Sequence, residues 1–427
     1  MNFADRLPLL PLVLAFLVYP PLALAVLRGF PQRHKMKAFA LLNIAGVACI
    51  AALSAAKNVR HNLVAQYGRA ISIFLCIYVA SVLLNYVFLR LSRRDRQPYT
   101  ALAFFAPILI LIAVKYTPAS VNPFAGLLSH LSGKQMSEFF VGISYLSFRL
   151  SHLVQEVRNE VVEMPDIWQY LAFAFFVPTL SIGPINPYSK FIGSFSDSAQ
   201  KLPVSRSLLR ILVGLTKYLF LASLLNQFTY AGLLFDGHPH RVLDLVVAVY
   251  AYLFYLYCNF SGFCDIVIGV SGLLGIEVAE NFNRPFSARN MQEYWNRWHM
   301  TLSGWLRDMM FTPATKSLIR RFGPKYANGI IAGTICLVFL LSGIWHGKGI
   351  NFALWGLSQG VGLACVHYYG VFLKRRLGRD GYAAYMSNAW IRYAAIAVTI
   401  SYSAVTLFLF ANNVTQMARI LHLAFVG

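Results

Sequence analysis

The sequence predicts an all-α polytopic membrane protein, and three observations carry that reading. Of its 427 residues, 58% are hydrophobic and only 12% charged, against about 25% charged in an average soluble domain. Mean hydropathy is +0.57. Apolar runs close to the ~20 residues that cross a bilayer recur along the whole chain.

Runs at 8–27, 70–89, 100–114, 208–225, 242–258 and 391–411 approach or meet that length. Shorter or interrupted runs lie at 38–56, 137–155, 167–183, 265–276, 330–346 and 350–373. Together they predict about 10–12 membrane segments, some re-entrant or interfacial where Gly and Pro interrupt them. The expected organisation is one membrane-embedded domain over 1–427, with N-terminal spans in 1–115, a catalytic region in 139–373 and a last span at 391–411. Ala23-Leu24-Ala25 has the look of a signal-peptide cleavage site, but the apolar stretch is too long for a signal core and Asp5 precedes it, so a retained span is expected. The stretch 116–136, with Pro118, Pro123 and Gly126, reads as a surface loop. Pro178, Gly183, Pro184 and Pro187 follow an apolar run and must end its helix.

The net charge of +21 raises the possibility of nucleic acid, yet the Lys and Arg residues sit between apolar runs instead of forming a basic domain. Topology explains them better. Arg28, Arg33, Lys35 and Lys37 mark one loop and Arg90, Arg93, Arg94 and Arg96 another, while Lys57, Arg60 and Arg69 between them are sparser. The positive-inside rule then places the two dense loops, and the cluster Lys374, Arg375, Arg376 and Arg379, in the cytoplasm and both termini outside. The six cysteines are scattered through apolar runs without a Cys-x-x-Cys pair, and read as packing residues.

Chemistry concentrates between 281 and 349. From Asn281 to Tyr326 eight Lys or Arg residues stand against Glu293 and Asp308, with aromatics among them. Trp295, Trp298, His299, Leu302, Trp305, Leu306 and Met309 recur at helical spacing, which predicts an amphipathic interfacial helix with His299 on its buried stripe. His346 stands in Leu341-Ser-Gly-Ile-Trp-His-Gly-Lys-Gly349, a Gly-rich break between two apolar runs. An imidazole there suits proton transfer from a hydroxyl, since burial keeps it neutral. The bland alternative is a histidine bonded to a neighbouring helix. Arg149, in Gly142-Ile-Ser-Tyr-Leu-Ser-Phe-Arg149, interrupts another apolar stretch, where a helix end or a snorkelling side chain is the ordinary reading. No zinc-protease helix, Walker loop or dinucleotide fingerprint appears, and no carboxylate or cysteine set accompanies the histidines to hold a metal.

Asn281-Phe-Asn-Arg-Pro285 through Asn296-Arg-Trp-His-Met-Thr-Leu-Ser-Gly-Trp-Leu-Arg-Asp308, followed by Gly343-Ile-Trp-His-Gly347, resembles the signature of the membrane-bound O-acyltransferase (MBOAT) family. Asn259-Phe-Ser-Gly-Phe-Cys-Asp265 is similar to a third family stretch, departing at Phe263 and Cys264. The resemblance runs from about 139 onward; the first 115 residues match in hydropathy alone. The segments 142–149 and 181–184 and the wording around His299 are closer to the D-alanyl-transfer branch of the teichoic-acid system, with the alginate O-acetylation branch next. Asn186-Pro187 stands where that branch has an Asp-Arg pair, and its usual residues after Asp308 are missing, so the acyl group and the acceptor stay open.

The resemblance implies a ring of helices around a central tunnel in a bacterial cytoplasmic membrane. It implies His346 as the catalytic base and His299 as the second histidine of the family's pair, with Asn296, Trp298, Ser303, Trp305, Trp345, Tyr145 and Arg149 binding substrate and no metal. The implied reaction moves a D-alanyl or acetyl group from a thioester donor to a hydroxyl of an extracytoplasmic glycopolymer. The donor is a phosphopantetheine carrier protein, whose acidity suits the basic loops, or acetyl-CoA, and no cofactor is tightly bound. Membrane lipids and a glycan acceptor are the other expected partners, and nucleic acid is not one. The alternative from another class is a transporter or lipid-flipping channel with a histidine proton relay, against which the lack of an internal repeat counts.

Overall fold

The computed structural model describes residues 14–56, 64–93, 96–116, 142–180, 182–196, 203–235 and 240–425. The expected surface loop at 116–136 therefore lies almost wholly outside the described residues. In chain order the helices are α1 (Tyr19–Gly29), α2 (Gln32–Ala56), α3 (Val64–Leu91), α4 (Arg96–Tyr116), α5 (Ile143–Arg158), α6 (Ile167–Ala174), α7 (Tyr188–Gly193), α8 (Val204–Leu215) and α9 (Ala222–Asn226). They continue as α10 (Tyr230–Leu233), α11 (Val242–Leu273), α12 (Met291–Trp295), α13 (Met300–Leu306), α14 (Thr312–Phe322), α15 (Ala327–His346), α16 (Ile350–Ser387), α17 (Ala389–Ala411) and α18 (Val414–Phe425). Among the described residues there is no strand, only one isolated antiparallel bridge between Phe282 and Trp298.

Among the described residues four helical stretches have the length and apolarity to cross a membrane: Val204–Asn226, Val242–Leu273, Pro324–His346 and Ala389–Ala411. Shorter apolar helices occupy Phe16–Gly29, Tyr78–Leu91 and Pro98–Ala113. The run at 167–183 yields only the eight-residue α6, because Pro178 cannot continue a helix. The run at 38–56 sits in α2, behind the polar lead Gln32-Arg-His-Lys-Met-Lys37.

The described residues form two compact units, one of residues 2–214 and 263–279, the other of 215–262 and 280–427. In the first, buried polar side chains repair the backbone wherever a helix is interrupted. Pro107 within α4 cannot donate to the carbonyl of Ala103, and the amide of Asn85, fully buried on α3, donates to that oxygen at 2.6 Å. Tyr170 on α6 in turn donates to Asn85 Oδ1 at 2.6 Å. Asn43 on α2 accepts from Tyr19 at 2.6 Å and from the backbone of Val177 at 3.2 Å. Arg210 on α8 pairs with Asp265 at 3.0 Å, joining two charges that apolar surroundings would otherwise penalise.

The second unit is organised by the α15–α16 hairpin. Here the glycines permit close approach: a Cβ on Gly356 would lie 2.9 Å from Gly343 Cα, and one on Gly360 2.7 Å from Cys336 Cα. Gly356 and Gly360 form a small-xxx-small face of the kind that brings membrane helices together. Farther along, His367 Nε2 meets Asn328 Oδ1 at 3.1 Å. Helix α17 docks on α16 through Gln359 Nε2 to Thr406 Oγ1 (2.7 Å), Tyr402 to the Ser358 carbonyl (2.6 Å) and Asn351 Nδ2 to the Leu409 carbonyl (3.1 Å). Gly378, at φ +66°, kinks α16 just beyond its basic cluster.

Candidate active site

The tip of the hairpin places His346. It is the last residue of α15, and Gly347–Gly349 turn the chain into α16. Its half-buried ring lies among Trp345 (centroids 4.4 Å apart), Trp355 on α16 (5.2 Å) and Phe410 on α17 (5.2 Å). Trp355 also meets Phe410 at 4.9 Å and Trp295 at 6.2 Å. The imidazole therefore stands in an apolar, well-packed frame made by three helices and the short α12.

His299 is positioned differently. The expected amphipathic helix through 295–309 is interrupted: α12 ends at Trp295, α13 starts at Met300, and His299 between them adopts a left-handed φ of +46°. Pairing with the upstream segment causes the break. Asn283 N donates to the Arg297 carbonyl (2.9 Å) and Met300 N to the Asn281 carbonyl (3.0 Å), so the chain runs antiparallel to 281–283 for a few residues. Left-handed backbone in a non-glycine residue is costly and persists only where its surroundings impose it.

The His299 ring is buried, edge-on to Phe260 at 4.8 Å. Its Nδ1 lies 3.1 Å from Asn281 Oδ1, and that oxygen also accepts from Thr301 N (3.2 Å) and Thr301 Oγ1 (2.9 Å). A backbone N–H can only donate, which fixes which end of the Asn281 amide is the oxygen, and hence requires His299 Nδ1 to carry the proton. Nε2 then keeps its lone pair. Burial pushes the imidazole pKa down to about 3, so the ring stays neutral throughout the physiological range. So weak a base is a hydrogen-bonding group, not a proton acceptor.

Around it Trp298 stacks on Tyr294 (5.5 Å, 14°) and meets Phe282 edge-on at 5.1 Å. Trp305 is buried, Ser303 Oγ donates to the Trp298 carbonyl at 3.4 Å, and Asn296 is exposed at the C-terminal end of α12. Outside the spans, Arg289 grips Glu293 through two nitrogens (2.9 and 2.7 Å). Burial alone would raise the Glu293 carboxyl pKa, but these bonds prevail and hold it below its ordinary value.

The second unit thus contains His346, His299, Asn296, Trp298, Ser303, Trp305 and Trp345, while Tyr145 and Arg149 belong to the first. Arg149 is 1% exposed and donates to the carbonyls of Phe173 (2.9 Å), Ala174 (3.5 Å) and Thr179, and to Thr179 Oγ1 (2.7 Å). These acceptors lie at the C-terminal end of α6 and just beyond it, where helix carbonyls lack partners. Tyr145 is half-buried on α5. Asn281, Trp355 and Gln359 are additional residues of the site. Gln359 was detectable as one of two amides, with Asn351, in the apolar run 350–373; Asn281 had no signal of its own beyond the motif it opens. Among the described residues no three His, Cys, Asp or Glu side chains converge to hold a metal ion.

The sequence profile of MBOAT, the membrane-bound O-acyltransferase family, matches residues 62–409. The chain belongs to this family. It is accordingly an acyltransferase of the membrane, and the transporter alternative falls. The chain is 29% identical to the teichoic acid D-alanyltransferase of Streptococcus thermophilus over 342 residues, covering 76% of this chain and 78% of that protein. It is 29% identical to the Bacillus subtilis enzyme of the same name over 279 residues, 64% of this chain and 69% of that one. The peptidoglycan O-acetyltransferase of Helicobacter pylori is 28% identical over 332 residues, 69% and 61% of the two chains.

Proposed function

We propose that this MBOAT enzyme transfers an acyl group, D-alanyl or acetyl, from a thioester donor to a hydroxyl of an extracytoplasmic glycopolymer, with His346 as general base. The observation that carries the assignment is the contrast between the histidines. His299 is held neutral with its proton committed to Asn281, whereas His346 ends a spanning helix at a turn, half-buried between aromatic rings. His346 removes the proton of the acceptor hydroxyl as that oxygen attacks the thioester carbonyl; the tetrahedral intermediate then expels the thiolate, which takes up the proton. His299, through the lone pair of Nε2, accepts a hydrogen bond from a second, neighbouring hydroxyl of the acceptor and so orients the reacting one. Trp298, Ser303, Trp305, Trp345 and Asn296 shape the approach to the two rings.

Arg149 serves this reading as a clamp on the backbone at and beyond the end of α6, since its Nη1 and Nη2 donate to carbonyls and a threonine hydroxyl. The names of the relatives, which act on teichoic acid and peptidoglycan, support a glycopolymer acceptor. A small acidic carrier protein fits basic clusters such as Lys374–Arg376 of α16, and acetyl-CoA is the second candidate donor. The test is to supply membranes holding the native chain with labelled D-alanyl-carrier protein or labelled acetyl-CoA. Label entering an envelope polymer from one of them identifies the donor. Thioester consumption from neither, in membranes where the protein is folded, would overturn the thioester reading.

A further inference from the structure

An amide buried within an apolar helix is expensive unless it is bonded. Gln359 on α16 is 2% exposed and bonded at both ends of its amide. Oε1 accepts from the indole Nε1 of Trp295 at 3.3 Å, and Nε2 donates to Thr406 Oγ1 at 2.7 Å. Thr406 passes its own proton to the carbonyl of Tyr402 at 2.8 Å, which anchors the pair to α17. Every group in this chain lies in the second unit.

Trp295 is the residue through which α12, and the His299 segment that follows it, packs against the hairpin bearing His346. Its ring meets Phe339 of α15 at 4.9 Å and Trp355 at 6.2 Å, and Trp355 stands edge-on to the His346 ring at 5.2 Å and 87°. Ring contacts alone permit sliding and rotation. The Gln359 bond fixes the direction of the Trp295 indole, and with it the register of α12 on the hairpin. We infer that Gln359 is a positioning residue for the acyl transfer: by holding Trp295 it sets the orientation of the Trp355–His346 pair and the placement of His299 relative to it. This inference rests on His346 being the catalytic base.

Gln359→Met removes both bonds at similar volume, and Trp295→Phe removes the N–H while keeping an aromatic ring. Gln359→Glu, kept protonated by its burial, retains a carbonyl acceptor for the indole and an O–H donor for Thr406 Oγ1. With the donor the native chain uses, each of the first two substitutions is expected to lower kcat about tenfold while KM stays within about twofold, as a small misplacement of reacting groups does. The double variant should be no worse than either single one, because both delete the same link. Gln359→Glu should recover most of kcat. Reactivity of His346 toward diethyl pyrocarbonate, followed by mass spectrometry, needs no substrate; it should rise several-fold in Gln359→Met and Trp295→Phe and stay native in Gln359→Glu. If Gln359→Met fails to accumulate, Thr406→Val breaks the far bond of the same chain and is read identically.

Native kcat and native His346 reactivity in Gln359→Met, or multiplicative effects in the double variant, would overturn the inference. His346→Ala is measured alongside. If it is inactive while Gln359→Met is native, only the role of Gln359 is lost; if His346→Ala is fully active, the base assignment and this inference fall together.

Discussion

Gly356 offers the most direct handle on how packing positions the chemistry. It sits next to Trp355 in sequence and opposite Gly343, three residues before His346. A Cβ added at Gly356 would fall well inside 3.0 Å of the Phe339 carbonyl and 2.9 Å from Gly343 Cα, distances that real Cβ atoms essentially never show. Both neighbours are backbone, so neither can rotate away, and α15 and α16 must part by roughly 0.5–1 Å. Overpacking of this kind costs about 1–3 kcal/mol. The displacement occurs within one helical turn of His346, where a 1 Å error in placing reacting groups lowers rates by as much as ~10²-fold. Gly356→Ala is therefore expected to lower the thermal midpoint in detergent by several degrees and to lower kcat in reconstituted vesicles about 10- to 100-fold, KM changing less. Gly370→Ala is the control, since nothing lies within 4 Å of a Cβ there. A Gly356→Ala protein with native kcat and native melting would refute the claim that close hairpin packing places His346.

Three further outcomes follow from the site. Asn281→Leu frees the tautomer of His299 and strands Thr301 N–H, so kcat should fall about 10- to 100-fold in a steady-state assay; an unchanged kcat would remove Asn281 from the machinery. His299 has a folded pKa of about 3 against about 6.5 unfolded, so the unfolded chain binds the extra proton between those values. Stability is then complete above pH 6.5 and declines by about 1.4 kcal/mol per unit as pH falls toward 3; melting of the native chain and His299→Gln at pH 7.5 and 5.5 should show that slope only in the native protein. Arg149→Met removes the Arg149 donors from the carbonyls of Phe173, Ala174 and Thr179 and should cost about 2–4 kcal/mol in melting experiments, with Arg149→Lys recovering less than half because it lacks the planar fork. A raised KM in the folded fraction would instead return Arg149 to substrate binding.

The helical membrane class was legible because it needs only hydropathy and length, and the turn at His346 was legible because Gly347 and Gly349 flank a histidine between two apolar runs. The break at His299 was not. Its flanking residues keep a 3.6-residue apolar period straight across Asn296–His299, and what overrides that period is pairing with residues 281–283, a tertiary effect without a local signal. Likewise Gln359 is visible as an amide in the middle of an apolar run, but nothing in the sequence says that its partner is Trp295, 64 positions away. Arg149 was singled out for its charge, and only the structure shows that its donors face helix-end carbonyls.

The central claim is that His346 takes the acceptor's proton in thioester-driven acyl transfer. The measurement that bears on it most directly is acyl transfer to an envelope polymer, with the donor the native chain uses, in vesicles holding equal amounts of folded native protein and His346→Ala. The expected result is transfer by the native chain and none above the protein-free control by His346→Ala. Equal transfer by both chains would contradict the assignment.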